Sequence, residues 1–218
     1  LVIGGLGYIG SGVVLDLLNK GSKVSVLDCC MYGDDVLKKF SKFSNFNFIK
    51  GYASDVILLG KLLKENSKVV HLAGLVGDPA CALSEKDTRY FNIKTTNIIK
   101  DLCLEYEIQR LIFASSCSVY GKTHELCYES SPTNPVSLYA QTKLEGEKRI
   151  KKSGIPFLIL RTDQPYGWPE KWQHVNSVYR VVSNLKKNER HNEVIDWFNT
   201  PTYVPEFVHA TNLLIEKE

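Results

Sequence analysis

A strand stub that runs straight into a glycine-spaced turn constrains this chain more than anything else in it. Leu1-Val2-Ile3 is apolar and β-prone. Gly4-Gly5-Leu6-Gly7-Tyr8-Ile9-Gly10 follows, and then a helical run over 11–19. Glycines at 4, 7 and 10 permit a tight turn, close approach of backbone to a phosphate, and close packing of helix on strand. The first turn of the helix adds free N–H groups and a positive dipole, both suited to an anion. A second strand, 23–27, ends at Asp28, 18 residues beyond Gly10. A carboxylate at that spacing matches the ribose hydroxyls of a dinucleotide and repels a 2′-phosphate, which favours NAD over NADP. Gly4, Gly7, Tyr8, Ile9, Gly10 and Asp28 are the cofactor residues expected at this end. The plainer reading of Asp28 is a solvated strand-end carboxylate.

Further along, apolar runs at 46–49, 69–73, 111–115 and 157–160 alternate with helical patterns at 57–65, 86–106 and 137–153. In the longest of these, Phe91, Ile98, Leu102 and Tyr106 recur at roughly helical spacing. The alternation predicts an α/β fold: a Rossmann-type, doubly wound parallel sheet with helices on both faces. Composition shifts after Arg161, since Trp168, Trp172, Trp197 and half of the eight prolines lie beyond it. The expected division is 1–162, a dinucleotide-binding domain carrying the chemistry, and 163–218, a smaller substrate lobe that looks cut short. A few residues are also expected upstream of Leu1. The tryptophans are candidates for stacking on a base or sugar, with lobe packing as the competing role.

Bulk properties exclude several classes. A chain that is 44% hydrophobic and 23% charged is an ordinary globular composition. A net charge of +3 gives no footprint for nucleic acid, and Lys186, Lys187 and Arg190 lie in a polar stretch that reads as a solvated loop. No run reaches the ~18 apolar residues of a membrane span. Cys29, Cys30, Cys81, Cys103, Cys117 and Cys127 form no CxxC pair and no zinc-spaced cluster with histidine. The expectation is a cytoplasmic protein with reduced thiols, no metal and no membrane or nucleic-acid partner. His71, at the end of an apolar strand, reads as packed and hydrogen-bonded rather than catalytic.

Tyr139 and Lys143 carry the chemistry. Four residues apart, they share one helix face. A phenol with an ordinary pKa of about 10 is a poor base, and a cation held beside it lowers that value. The pair thus suits proton exchange with a hydroxyl or carbonyl. Strand 111–115 leads into Ala114-Ser115-Ser116-Cys117-Ser118-Val119-Tyr120-Gly121, which sets hydroxyls at the end of a parallel strand where such sheets bind ligands.

With GGLGYIGS, LD, HLAG, FNI, SSCSVYG, YAQTK and LRTDQPYG in order, the chain resembles the extended short-chain dehydrogenase/reductases. More narrowly, over 1–167 it resembles the NAD-dependent epimerase/dehydratase family acting on nucleotide sugars. The resemblance implies that Ser116 hydrogen-bonds the reacting sugar oxygen, that Tyr139 moves the proton, and that Lys143 binds the nicotinamide ribose and tunes Tyr139. It also implies that Ala73 and Gly74 line the cofactor channel, Asn92 supports the active-site strand, Pro165 flanks the nicotinamide, and Gln164 lies near the substrate. Ser115 and Ser118 remain alternatives to Ser116, Ser118 also as a substrate contact.

Departures bear on the reading. Ile3 stands where a threonine is common. Tyr52 follows Gly51 where an aspartate near adenine is usual, so Asp55 takes that expectation, with a helix N-cap as its other role. Cys117 and Ser118 stand where sugar 4,6-dehydratases carry Asp-Glu, which argues against loss of water. Cys117 is also one position away from the cysteine of GDP-fucose synthase-like enzymes, and reads as a small buried residue. The stretch 199–205 and the helix-like 207–214, with 161–167, resemble dTDP-4-dehydrorhamnose reductases. The activity implied is a UDP-glucose 4-epimerase-like reaction. The alternatives are a 4-keto-sugar reductase and a non-catalytic dinucleotide-binding regulatory subunit. Relatives often pair through two helices, here 86–106 and 137–153, so a homodimer is expected.

Overall fold

The computed structural model describes residues 1–168, 176–190, 192 and 198–217; Trp172 and Trp197 lie outside them. Six parallel strands, β1 (Val2–Ile3), β2 (Val24–Asp28), β3 (Phe46–Lys50), β4 (Lys68–His71), β5 (Arg110–Ser116) and β6 (Phe157–Thr162), lie in the order β3-β2-β1-β4-β5-β6. The order reverses between β1 and β4, which opens a crevice at the carboxyl ends of those strands.

Strand alternation sends one set of side chains to each face. Ile3, Leu27, Val69, Leu111 and Phe113 pack under α3 (Val56–Leu63), α6 (Thr95–Glu105) and α7 (Leu138–Lys151). Val2, Val24, Val26, Val70 and Ile112 pack under α1 (Tyr8–Asn19), α2 (Leu37–Phe40) and α9 (Val204–Glu216). The short helices α4 (Asp78–Ala82) and α5 (Glu85–Arg89) follow β4. The single helix expected over 86–106 is α5, a π turn at Tyr90–Lys94, and α6 in unbroken succession.

The last helix joins the core. A Cβ at Gly12 of α1 would lie 2.8 Å from a Val208 methyl, so the glycine is what lets α9 approach. Fully buried Asn212 donates to the Val13 carbonyl (3.3 Å) and to Asp16 Oδ2 (2.7 Å). By contrast α8 (Ser177–Lys186) buries none of its residues. Lys187 and Arg190 lie in the turn and loop expected there, whereas Lys186 is the last residue of α8, a helix started by Asn176, whose Oδ1 accepts from the Tyr179 N–H at 2.9 Å. Among the described residues no helix is long and apolar enough to cross a membrane.

Candidate active site

The glycine turn has three different glycines. Gly4 has φ +82°, and a Cβ there would lie 2.7 Å from the Ala73 nitrogen. A side chain at Gly10 would run into the Gly4 carbonyl oxygen. Both are required by backbone contact within the fold. Gly7 has φ −69° and space for a Cβ, 3.4 Å from the nearest atom, and it leaves the start of α1 with no side-chain cap. A helix start with unpaired N–H groups and a bare approach fits an anion. Asp28 closes this cradle, its Oδ2 accepting from the Leu6 N–H (3.0 Å) and its Oδ1 from Cys30 (2.9 Å). Ile9 packs on the adjoining core, while the Tyr8 hydroxyl accepts from Asn176 Nδ2 at 3.1 Å and so ties α1 to α8. Asp55 is exposed and caps α3, accepting from the Leu58 N–H at 2.9 Å.

Ser116, Tyr139 and Lys143 converge where β5 meets α7. Ser137 caps that helix, accepting from the Ala140 N–H at 3.2 Å, which starts it one residue before Tyr139. Ser116 Oγ accepts from the Ser118 N–H (3.2 Å) and hydroxyl (2.9 Å), which leaves its own proton to turn towards Tyr139, whose pKa it lowers. Ser118 thus spends its hydroxyl on Ser116, and Ser115 spends its own on Glu147 at 2.6 Å. Ser116 is the strand-tip hydroxyl that reaches the phenol. Lys143 is buried, donates to the Ala114 carbonyl at 2.9 Å, and lies 5.8 Å from the centre of the Tyr139 ring.

The electrostatics correct one expectation. Lys143 does not pull the phenol down. Burial pushes Tyr139 up to about 12, with the Ser116 hydrogen bond opposing, and burial pulls Lys143 down to about 8. Both groups are desolvated, and desolvation penalises each charged form. Without ligand the phenol is a proton donor.

The two halves of the site are joined through the loop after β4. Gly4 abuts Ala73; Gly74, at φ +157°, leaves room for Asn92 Oδ1, which would lie 2.8 Å from a Cβ there. Asn92, inside the π turn, accepts from the Leu75 N–H (2.8 Å) and donates to the Leu75 carbonyl (2.9 Å) and to Thr142 Oγ1 on α7 (3.1 Å). It spends both ends of its amide bracing the loop against α7. His71 lies beneath, buried against Phe113. Thr96 Oγ1 donates to the Asn92 carbonyl (2.7 Å), so the 3.0 Å contact with His71 Nε2 is donated by the imidazole. The ring is neutral, and burial, with Lys143 adding, pulls it down to about 3.

Beyond Thr162, which pairs with Ser116, the chain runs into the expected substrate side. Thr202 N–H donates to the Asp163 carbonyl (2.8 Å), Tyr166 N–H to Thr202 (2.9 Å), and Val204 N–H to Tyr166 (2.8 Å). This short ladder carries Gln164 and Pro165. Gln164 has φ +34°, and its Oε1 accepts from the Ser177 hydroxyl at 3.4 Å. Trp168 is 70% exposed, edge-on to Tyr179 and under the Lys186 ammonium. Cys117 is half-buried rather than buried, and burial pushes its thiol up. Glu147, eight residues beyond Tyr139, falls on the same helix face, and Arg161 of β6 pairs with it; only the helical period of Glu147 marks either of them in the sequence.

A family model described as NAD dependent epimerase/dehydratase family matches residues 1–214. The chain belongs to that family. A UDP-glucose 4-epimerase of Lactobacillus helveticus is 32% identical over 170 residues, covering 74% of this chain and 50% of that protein. A dTDP-D-glucose 4,6-dehydratase of Dictyostelium discoideum is 28% identical, covering 100% of this chain and 55% of its own length. The chain thus spans about half the length of these curated relatives. A solved UDP-N-acetylglucosamine 4-epimerase from Methanobrevibacter ruminantium, in complex with UDP-N-acetylmuramic acid, superposes with TM-score 0.88 at 27% identity, covering 100% of this chain and 72% of that one. The UDP-glucuronic acid 4-epimerase of Bacillus cereus, in complex with UDP-glucuronic acid and NAD, gives 0.85 at 25%, covering 100% and 73%. The Rossmann-type architecture expected from the alternation is the one these neighbours share.

Proposed function

We propose that this protein is an NAD-dependent nucleotide-sugar epimerase of the UDP-glucose 4-epimerase kind. The observation that carries the reading is the convergence of Ser116, Tyr139 and Lys143, linked through Thr142, Asn92 and the loop after β4 to the glycine turn. The cradle fits the dinucleotide: the uncapped start of α1 beside Gly7 takes the pyrophosphate, Asp28 the ribose hydroxyls, and Lys143 with Tyr139 the nicotinamide ribose. NAD, when bound, supplies the hydrogen acceptor for the sugar carbon and a cationic ring that favours the Tyr139 phenolate. Ser116 holds the reacting oxygen. Tyr139 takes the hydroxyl proton as the carbon is oxidised and returns it when the carbon is reduced on its other face. Gln164 and Pro165, just past the β6 tip, border the sugar. Neither neighbour of Ser116 supplies a carboxylate for loss of water: Ser118 is bonded to Ser116, and Cys117 is a thiol raised by burial.

The same reading includes a homodimer formed through the outer faces of α5–α6 and α7, where Arg89, Ile93, Gln141 and Leu144 line a shallow groove. All six cysteines are free thiols, which fits a cytoplasmic setting. The test is turnover of UDP-glucose and UDP-galactose by purified protein with no added cofactor. Interconversion supports the epimerase. Consumption of one NADH per 4-keto sugar would make it a reductase. Binding of NADH with no turnover by wild type would make it a regulatory subunit.

A further inference from the structure

Three consecutive residues of β5 each meet α7, at three residues one turn apart on that helix. The Ala114 carbonyl accepts from Lys143, Ser115 donates to Glu147, and Ser116 lies close enough to Tyr139 to lower its pKa. Of the three helix residues, Glu147 has no part in the proton path, yet its side chain is 0% exposed. Arg161 of β6 grips it with both arms of its fork, Nε to Oε1 at 2.8 Å and Nη2 to Oε2 at 2.6 Å. Arg161 also reaches the Tyr120 hydroxyl (2.8 Å) and the Glu129 carbonyl (3.3 Å), with its guanidinium 4.9 Å from the Tyr120 ring centre. One carboxylate therefore joins β5, β6, α7 and the turn that follows Ser116. Burial works against its charge, but hydrogen bonds from Arg161 and Ser115 outweigh that and hold Glu147 below its ordinary value. A buried ion pair often adds no more stability than well-packed apolar residues of the same volume. What it adds here is orientation: it sets the rotation of α7 against the β5 tip.

We infer that Glu147, held by Arg161, is a positioning residue that aligns the Ser116 hydroxyl with the Tyr139 phenol through its bond to Ser115. The catalytic consequence rests on the epimerase reading; the alignment does not.

The test uses protein labelled with ¹³C at the tyrosine Cζ, the Tyr139 signal being assigned by its loss in Tyr139→Phe. Ser115→Ala leaves the Glu147–Arg161 pair in place and removes only the link to the strand. It is expected to shift the Tyr139 signal at neutral pH, to lower kcat about 10- to 100-fold, and to leave NADH affinity unchanged. Because Ser116 lowers the phenol pKa, displacing it moves the acid limb of the kcat profile to higher pH. Ser115→Thr restores the hydroxyl and is expected to restore signal, rate and limb. Glu147→Gln acts in the same direction; if it fails to fold, Ser115→Ala decides alone. An unmoved Tyr139 signal in Ser115→Ala overturns the inference, as does a fall in melting temperature with kcat and its pH limb unchanged. If wild type proves to have no epimerase activity, the signal shift and its rescue still decide the alignment.

Discussion

The seam between β5 and α7 and the segment from Asp163 to Val204 are built on opposite terms. In the seam, side chains do the joining. A lysine and a glutamate are buried, each with its partners, and the glycine at 146 lets the helix down onto Phe113, where a Cβ would lie 2.8 Å from the ring. In the segment, backbone and partly exposed side chains such as Asn176 do the joining: a ladder of three backbone hydrogen bonds, a helix with no buried residue, and Trp168 and Phe198 at 70% and 89% exposure. Groups that move protons need their pKa and distance held, and only a packed, desolvated interior does that. Groups that recognise a ligand can lie on elements that cost little to rearrange.

If that contrast is right, substitutions in the seam change rate and those in the segment change affinity. The largest effect belongs to Tyr139→Phe, which keeps the ring and removes the proton. It is expected to cost kcat about 10²- to 10⁴-fold while NADH is still bound, with Lys143 keeping its share of the ribose, read by steady-state turnover and NADH fluorescence. Equal turnover by variant and wild type would break the comparison at its centre.

The glycine turn separates fold from cofactor within a few residues. Gly10→Ala meets the Gly4 carbonyl, so it is expected to destabilise the protein by roughly 1–3 kcal/mol. Gly7→Ala meets nothing closer than 3.4 Å at an ordinary φ, so its melting temperature is expected to match wild type. Its methyl group would occupy the approach to the helix start, so NADH affinity falls while stability does not. Paired melting and titration curves distinguish the two outcomes.

Burial beneath the seam also makes stability depend on pH. The folded-state pKa of His71 is depressed from 6.5 to about 3. Its contribution is therefore complete above 6.5 and is lost as pH falls from there towards 3, at roughly 1.4 kcal/mol per unit. Urea unfolding of wild type and His71→Leu across that range is expected to show a slope that the variant lacks. Thr96 keeps its bond to the Asn92 carbonyl in the variant, so no donor is stranded.

The seam and the segment also differ in how far they could be read in advance. Strands such as 111–115 announce themselves because both faces are buried and the run is continuously apolar. The Tyr139–Lys143 pair is legible as a helical spacing of four, and strand-end placement points to a serine hydroxyl, but placement alone does not choose among Ser115, Ser116 and Ser118. The direction of the Tyr139 and Lys143 shifts did not follow, because it depends on how much water the fold removes, and spacing carries no measure of that. Glu147 was visible by helical period, but its partner Arg161 is 14 residues on and on another element. The helix Ser177–Lys186 carries an apolar stripe, Val178, Val181, Val182 and Leu185, at helical spacing, but it was hidden by the polar residues around it, and none of the stripe is buried.

The smallest effect is expected in the segment, from Trp168→Ala. Its ring touches Tyr179 edge-on and lies under Lys186, both on a helix that itself packs loosely, so little is lost from the folded state. Stability is expected to stay within ±0.5 kcal/mol of wild type. If the indole stacks on the base or sugar of the substrate, KM rises about ten-fold or more while kcat holds, since such stacking is worth about 1–3 kcal/mol per base. A fall in kcat at unchanged KM would place Trp168 with the chemistry, and the division of labour between seam and segment would not hold.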